Sequence, residues 1–396
     1  MIPNGNQRSG ENPFKPPLAG ASDAKPVDAK RSDVWGAPRH LGAMPAPSLP
    51  PLIGVDAGDV REVPMADCVL SSRVRLARNL VGFNFVNRST PEQLADVVHR
   101  AQAARLSGPF DAGTRWVNVQ STSPIDRLML FERNLISRPF VEATHPRCVA
   151  ISADETTSVM VNEEDHLRLQ MLAPGMQLSA LADRMIALDR SLEHSLEFAF
   201  HPRFGYLSAC PTNVGTGIRI SAMMHLPGLR LLEELEKVQR AARDMHLAVR
   251  GFHGEGTEAL GDFFQISNQT TLGRSEHDIV EEFVGVIVPR FVEYERAARR
   301  ALLERDLPSL DDRVQRALGI LRSCRLLSLD ESIKFLSRVR LGVALGRIND
   351  VERTLVDRLL LEVQPAHLAR LGGRELSQGE DDRAARADAV RGALRG

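Results

Sequence analysis

Hydrophobic and polar positions change texture three times along the 396-residue chain. To about Asp59 there is no periodicity: 10 of the 23 prolines fall there among scattered Gly, Ser and Ala. Such a stretch buries too little apolar surface to offset its ordering entropy, so residues 1–62 are expected to be a disordered Pro-rich tail. From Val63, short runs alternate as half-buried strands do: SSRVRLAR from Ser71, SVMV and HLRLQML on either side of NEED, and GIRISAMM from Gly217. Between them lie helical patterns. One begins at Pro91 behind Ser89 and Thr90, one at Gln177 and one after Pro227. Strands and helices that do not strictly alternate predict an α+β fold with an antiparallel sheet over residues 63–277.

After about Ser275 the strand patterns stop. Ile279, Phe283, Ile287 and Phe291 recur at helical spacing, and Pro289 is expected to kink that helix or start a new one. Further helical patterns follow, so residues 278–396 are expected to form an all-α domain, with a charged, Ala/Arg-rich and partly ordered end beyond Gly372. Composition narrows the class. A net charge of −1 gives no basic field for nucleic acid, and no apolar run is long enough to span a membrane. Cys68, Cys148, Cys210 and Cys324 are scattered without a CxxC pair, and no secretory signal pattern is present, which together predict a cytoplasmic protein.

Neither GxxxxGK[ST] nor GxGxxG occurs, so the common phosphate cradles are missing. Arginines on strand faces stand in their place. Val74 and Leu76 share one face of their strand, which leaves Arg73 and Arg75 on the other; Arg168 and Arg219 oppose apolar neighbours in the same way, and Arg250 ends the apolar HLAV run. Any one of them is ordinary as a surface residue. Five on the polar faces of one sheet suit a triphosphate, because guanidinium forks match phosphate oxygens and keep their charge. Two acidic sites, Glu164 in NEEDH and Glu255 in GFHGEGTE, read as solvated turns or as a carboxylate pair around a cationic acceptor. A guanidinium acceptor needs such a pair, being a poor nucleophile until oriented and relieved of a proton. Cys210 opens CPTNVGTG, where nearby arginines would favour its thiolate. A Cys/His protease using His201 or His225 lacks any supporting motif, as does a zinc site.

Four segments together resemble the ATP:guanido phosphotransferase family: SSRVRLARNL, VNEEDHLRLQ, CPTNVGTGIRISAMMHLP and RGFHGEGTEALGDFFQISNQTTLGRSE, in the family's order. The resemblance implies a catalytic domain built on an antiparallel sheet, using ATP and Mg2+. By position it assigns the nucleotide to Ser71, Ser72, Arg73, Val74, Arg75, Arg168, Arg219, Ile220, Ser221, Ala222, Met223, Arg250, Gly251, Phe252, His253, Gly254 and Glu255. Catalysis falls to Glu164 and Glu255, and contact with the guanidinium to Cys210. Asn134 stands where family members carry a histidine near the adenine. No dedicated metal-ligand cluster is visible.

Within the family, the arginine motif begins at Ser71 without a folded helical domain before it, and the C-terminal helices resemble those of bacterial protein-arginine kinases. That branch implies arginine side chains of proteins as acceptors, marking for degradation, a homodimer held by the C-terminal helices, a zinc-binding activator protein and an unfoldase–protease partner. The alternative is a phosphagen kinase acting on free arginine or another small guanidino compound; a non-catalytic phosphoarginine-binding adaptor is a third. Asp382, Arg383 and Arg386 lie in the best match to the branch's allosteric phosphoarginine motif, with its first two residues inverted.

Overall fold

The computed structural model describes residues 63–104, 106–251, 260–373 and 380–395. The expected tail, residues 1–62, lies outside the described residues. Eight strands form one antiparallel sheet: β1 (Val69–Arg78), β2 (Thr114–Asn118), β3 (Cys148–Ser152), β4 (Thr157–Val161), β5 (Leu167–Pro174), β8 (Ile218–His225), β9 (Leu247–Gly251) and β10 (Phe263–Asn268). β6 (Phe200–His201) and β7 (Gly205–Tyr206) make a separate small hairpin. The sheet runs β2-β3-β4-β5-β1-β8-β10-β9, which places β1 at the centre between β5 and β8. The helices of this part are α1 (Pro91–Ala103), α2 (Pro124–Glu132), α3 (Arg138–Glu142), α4 (Leu178–Glu193), α5 (Pro227–Leu231) and α6 (Leu235–Asp244). Then come α7 (Glu276–Glu282), α8 (Val288–Arg305), α9 (Leu307–Ser323), α10 (Leu329–Ala344), α11 (Arg353–Glu362), α12 (Pro365–Leu371) and α13 (Glu380–Ala393). The α+β architecture, with a helical C-terminal region, is the one the hydrophobic pattern predicts.

Local chemistry starts the helices. Thr90 accepts from the Gln93 N–H while the Gln93 side chain returns to the Thr90 N–H, and Pro91 fills the first position of α1. The same reciprocal cap opens α7 at Ser275/Asp278 and α10 at Ser328/Glu331. Between α7 and α8, residues Phe283–Ile287 form one π-helical turn, and Pro289 follows as the second residue of α8. A proline there has no N–H to give and its ring crowds the preceding turn, so the wider turn lets the chain run on.

Register divides the sheet into two faces. Val74 lies opposite Met171 and Ile220, and Leu76 opposite Leu169 and Ile218. These bury against Leu181, Met185 and Leu188 of α4 and against Phe283, Phe291 and Val292. Each such side chain contributes about 1.5–3 kcal/mol. The large apolar clusters of the other face lie at its two ends. Met160 and Val149 pack with Leu130, Ile136 and Phe140 of the α2–α3 region. Phe263 joins the core of α9, α10, α11 and α13, with Met223 against it. What remains between these walls is a polar trough along β5, β1 and β8.

A buried ionic junction joins the sheet to the helices beyond it. Arg340 of α10 donates to Asp357 at 2.7 Å, to the carbonyls of Ala66 and Asp67 at 2.8 and 3.0 Å, and lies 3.2 Å from His225 Nδ1. Glu295 of α8 accepts from Arg299 and from the Gly228 and Leu229 N–H groups.

Candidate active site

The trough is lined with arginine because of the register. Arg75 sits directly opposite Gln170 on one side and Arg219 on the other. Arg73 sits opposite Ser221, donates to Ser221 Oγ at 3.4 Å and bonds Gln265. Arg168 projects from the same face of β5, opposite Ala77, and Arg250 of β9 pairs with Gln265 of β10. Burial, followed by the charges of Arg168, Arg219 and Arg250, pushes the Arg73 guanidinium down to about 10. Burial and three arginine neighbours hold Arg75 well below the ordinary range, against the opposing pull of Glu163. Arg75 Nε is buried with no hydrogen-bond partner. Like charges directly across a ladder destabilise a sheet. An arrangement that stays cationic under those conditions favours a polyanion laid along it.

The acidic turn between β4 and β5 assigns each residue a different task. Glu163 is half-buried, pairs with Arg168 at 2.5 Å and accepts from Ser137 Oγ at 2.6 Å. Burial alone would raise its carboxyl, yet Arg168 and these hydrogen bonds hold it below the usual range. Glu164 is exposed and points outward; partial burial, with Asp165 and Glu163 nearby, raises its carboxyl, while Arg168 and a hydrogen bond from the Cys210 thiol act the other way. Asp165 turns inward, accepting from Asn79 Nδ2 at 2.6 Å, Ser208 Oγ at 2.8 Å and the Ala209 N–H at 2.8 Å. His166 closes the turn by accepting from the Leu80 N–H at 3.0 Å. This buried carboxylate ties the acidic turn to the Cys210 loop and sets Glu164 beside Cys210.

The loop after Cys210 is shaped by glycine. Gly215 has φ +114°, and a Cβ there would come 2.4 Å from Thr271 O; Gly217 has φ +67°, and its Cβ would meet Ala77 O and Arg78 Nη1 at 2.8 Å. Thr271 Oγ1 donates to the carbonyls of Thr212 and Val214, holding the loop against the chain leaving β10. Arg78 fixes its far end, donating to Thr216 O at 2.8 Å and pairing with Asp189 of α4.

Arg73, Arg75, Arg168, Arg219, Ser221 and Arg250 thus share one face, with Glu164 and Cys210 brought together at its β5 end. Ser71 and Met223 lie on that face towards α10. Ser72, Val74, Ile220 and Ala222 do not: strand alternation turns them to the packed side, where Ser72 Oγ donates to Gly175 O at 2.7 Å. Asn134 has φ +58° just beyond α2, a conformation that asparagine tolerates better than most residues, and its carbonyl accepts from Gln170 on the arginine face at 2.5 Å. Gly251 ends β9; Phe252, His253, Gly254 and Glu255 lie outside the described residues. Arg386 is buried near the second core, donating to Val363 O, Leu327 O and Asp382, while Arg383 is exposed; none of the three joins the trough. Sequence reasoning passed over Asn79, Asp165 and Gln265. Asn79 follows the arginine strand directly, the one signal that could have marked it. Among the described residues no group of three His, Cys, Asp or Glu could hold a metal ion.

Comparison with known proteins agrees with this geometry. Residues 97–298 match the family model of the ATP:guanido phosphotransferase C-terminal catalytic domain, and residues 308–396 that of the protein-arginine kinase McsB C-terminal domain. A protein-arginine kinase of Geobacillus stearothermophilus is 42% identical over 330 residues, 83% of this chain and 91% of that protein. One of Symbiobacterium thermophilum is 44% identical over 323 residues, 81% and 91% of the two chains. Among solved structures, lombricine kinase shares the fold with a TM-score of 0.52 at 24% identity, covering 60% of this chain and 68% of that one. The duplicated taurocyamine kinase of Schistosoma mansoni with bound transition-state analogue components has a TM-score of 0.52 at 26% identity, covering 67% and 38%.

Proposed function

Because the chain belongs to the ATP:guanido phosphotransferase family, on the branch of the protein-arginine kinases, we propose that it moves the γ-phosphoryl group of ATP onto arginine side chains of proteins through the trough just described. The observation that carries the site assignment is the set of five arginines on one half-buried sheet face, Arg75 opposite Arg219. In this reading Arg73, Arg75, Arg168, Arg219 and Arg250 hold the phosphates and take up the charge of the transferring group. The Asn134–Gln170 contact borders the adenine end. Glu164 and, by its motif position, Glu255 orient the acceptor guanidinium, and Cys210 touches it. A guanidinium nitrogen attacks the γ-phosphorus, the bond to the ADP oxygen breaks, and the nitrogen's proton passes to a carboxylate. Mg2+ would be held mainly by the phosphates and water, neutralising their charge.

The test is incubation with ATP and an unfolded protein, followed by mass spectrometry under conditions that keep acid-labile P–N bonds. Phosphoarginine in the protein is the expected result. Better turnover of free arginine would favour the phosphagen reading. We also place catalysis in residues 63–277 and assembly in residues 278–396. A homodimer through the helices follows from the branch's resemblance, and sedimentation at micromolar concentration tests it. Among the described residues the cysteines are free and no helix is long and apolar enough to cross a membrane. A zinc-binding activator, an unfoldase–protease partner and a role in degradation follow from the branch's resemblance alone. Co-purification from cells, with and without that protease, tests them.

A further inference from the structure

From the helical C-terminal region, α12 reaches back to the end of α2, and the contact is polar and buried. Glu132, the last residue of α2, accepts from the Ala366 and His367 N–H groups at 2.8 and 3.0 Å. A carboxylate beside the sheet thus satisfies the first free N–H groups of a helix far along the chain. His367 Nδ1 donates to the same carboxylate at 2.7 Å, and His367 Nε2 accepts from Arg133 Nε at 3.2 Å. Solvent is shut out, the His367 side chain being 1% exposed and that of Glu132 3%. Arg370 of α12 lies 3.5 Å from Asp126 of α2, and Arg133 pairs onward with Glu155 at 2.8 Å.

The turn that follows Glu132 runs to the trough. Arg133, Asn134 and Leu135 donate their N–H groups to the Met129, Phe131 and Leu130 carbonyls, so the turn moves with the end of α2. The Asn134 carbonyl accepts from Gln170 Nε2 at 2.5 Å, and the Leu135 carbonyl from Ser158 Oγ at 2.8 Å. Gln170 lies directly across from Ser158 on one side and from Arg75 on the other. Four consecutive residues, Glu132 to Leu135, therefore join His367 to the arginine face by hydrogen bonds at both ends. Loss of the bonds at the α12 end frees the turn to shift, and Gln170 with it.

We propose that His367, with Glu132, is a positioning residue for the nucleotide: α12 holds the 132–135 turn, which sets Gln170 beside Arg75 at the adenine end of the trough. This rests on the reading of the trough as the ATP site and adds that residues well beyond 277 complete it. The Cys210 loop and the acidic turn have a tie of their own in Asp165, so the linkage bears on ATP affinity more than on transfer.

The test uses the full-length protein and His367→Phe, which keeps a flat ring and removes both nitrogens. Calorimetry should show ATP binding weakened about tenfold, the scale of one lost buried hydrogen bond. The single-turnover rate at saturating ATP should stay within about twofold, the mark of lost binding common to ground and transition states. His367→Gln, whose amide can again accept from Arg133, should recover most of the affinity. An unchanged Kd with fewer binding-competent molecules means that the junction only stabilises the fold, and overturns the proposal; an equal loss in affinity and saturated rate overturns it too. Should His367→Phe not fold, hydrogen exchange on wild type decides. By reciprocity ATP should then slow exchange of the Ala366 and His367 N–H groups more than that of the α11 amides, and equal protection overturns the proposal. Wild type that binds no ATP, or Arg219→Ala that keeps full affinity, overturns instead the trough as the nucleotide site.

Discussion

Arg75 and Arg219 face each other across β1 and β8, with Arg73 beside them, and this crowding has a consequence for each side chain. Removing one cation relieves repulsion in the empty protein but also removes a phosphate partner. Arg219→Ala should therefore weaken ATP binding and slow transfer together, without lowering the unfolding midpoint. Glu255→Gln should do something else: keep ATP affinity and lower the single-turnover rate by roughly 10²–10⁴, the range of lost acid–base catalysis. Calorimetry and rapid quench separate the two, and loss of ATP binding in Glu255→Gln with normal transfer at saturation would reverse the assigned roles. Glu164 gives a pH prediction. Burial raises its carboxyl, so it takes up a proton at higher pH than an ordinary glutamate. If transfer needs the ionised form, activity falls as pH drops through that raised value. Cys210→Ala removes a hydrogen bond that favours the carboxylate, so the acid limb of kcat/KM should move to still higher pH. A limb that stays put or moves down means that Glu164 is not the titrating group.

Two loops carry the acceptor site, and one carboxylate holds them together. Asp165→Asn keeps the shape but turns one acceptor oxygen into a donor facing donors: the Asn79 amide, the Ser208 hydroxyl and the Ala209 N–H. One or two buried polar groups then lack partners, at about 1–3 kcal/mol each. We expect a lower unfolding midpoint and a kcat loss exceeding the change in ATP affinity, because Asp165 bonds Asn79 and the Cys210 loop beyond the ends of the strands that carry the phosphate arginines. Equal loss of both would place Asp165 among general stabilising residues. This residue also marks where sequence reading stopped. The alternation of β1, β5 and β8 was legible because one face of each is polar, and that alternation put the five arginines together. SVMV was legible as the strand it forms in β4, though both its faces are buried, whereas β3 was not separable from a buried helix by pattern, since CVAIS is buried on both faces and shows little alternation. Asp165 looked like a solvated turn residue; only the fold brings Asn79 and the Cys210 loop onto it, 44 and more residues away in sequence. Arg386, named in the sequence with the phosphoarginine motif, is buried on carbonyls that only the fold brings to it.

At the scale of the molecule, two apolar cores meet along a polar seam, and the seam decides whether the chain unfolds as one body. α7 and α8 belong to the first core, where Ile279, Phe283, Phe291 and Val292 pack with the sheet, while Leu310 and Val314 of α9 begin the second. We therefore propose that the mechanical boundary falls near Asp306, later in the chain than residues 277/278. Across it, Arg340 reaches Asp357 within its own core and the Ala66 and Asp67 carbonyls and His225 in the other. His225 stays neutral there: burial, then the charges of Arg340 and Arg299, hold its imidazole well below the ordinary range, which leaves Nδ1 free of a proton to accept from Arg340. Arg340→Met fills the volume but leaves the buried Ala66 carbonyl and an imidazole nitrogen without their donor, the Asp67 carbonyl with Arg299 alone, and Asp357 with Arg353 alone. Breaking a buried pair from one side typically costs about 3–5 kcal/mol. Wild type should unfold in one calorimetric transition; the variant should show two, the earlier one several degrees lower. If the lost carbonyl contacts matter more than the ion pair, Asp357→Asn should cost clearly less than Arg340→Met and preserve the single transition. A single unshifted transition in Arg340→Met would mean that apolar contact through Phe263 and Met223 couples the cores without the seam.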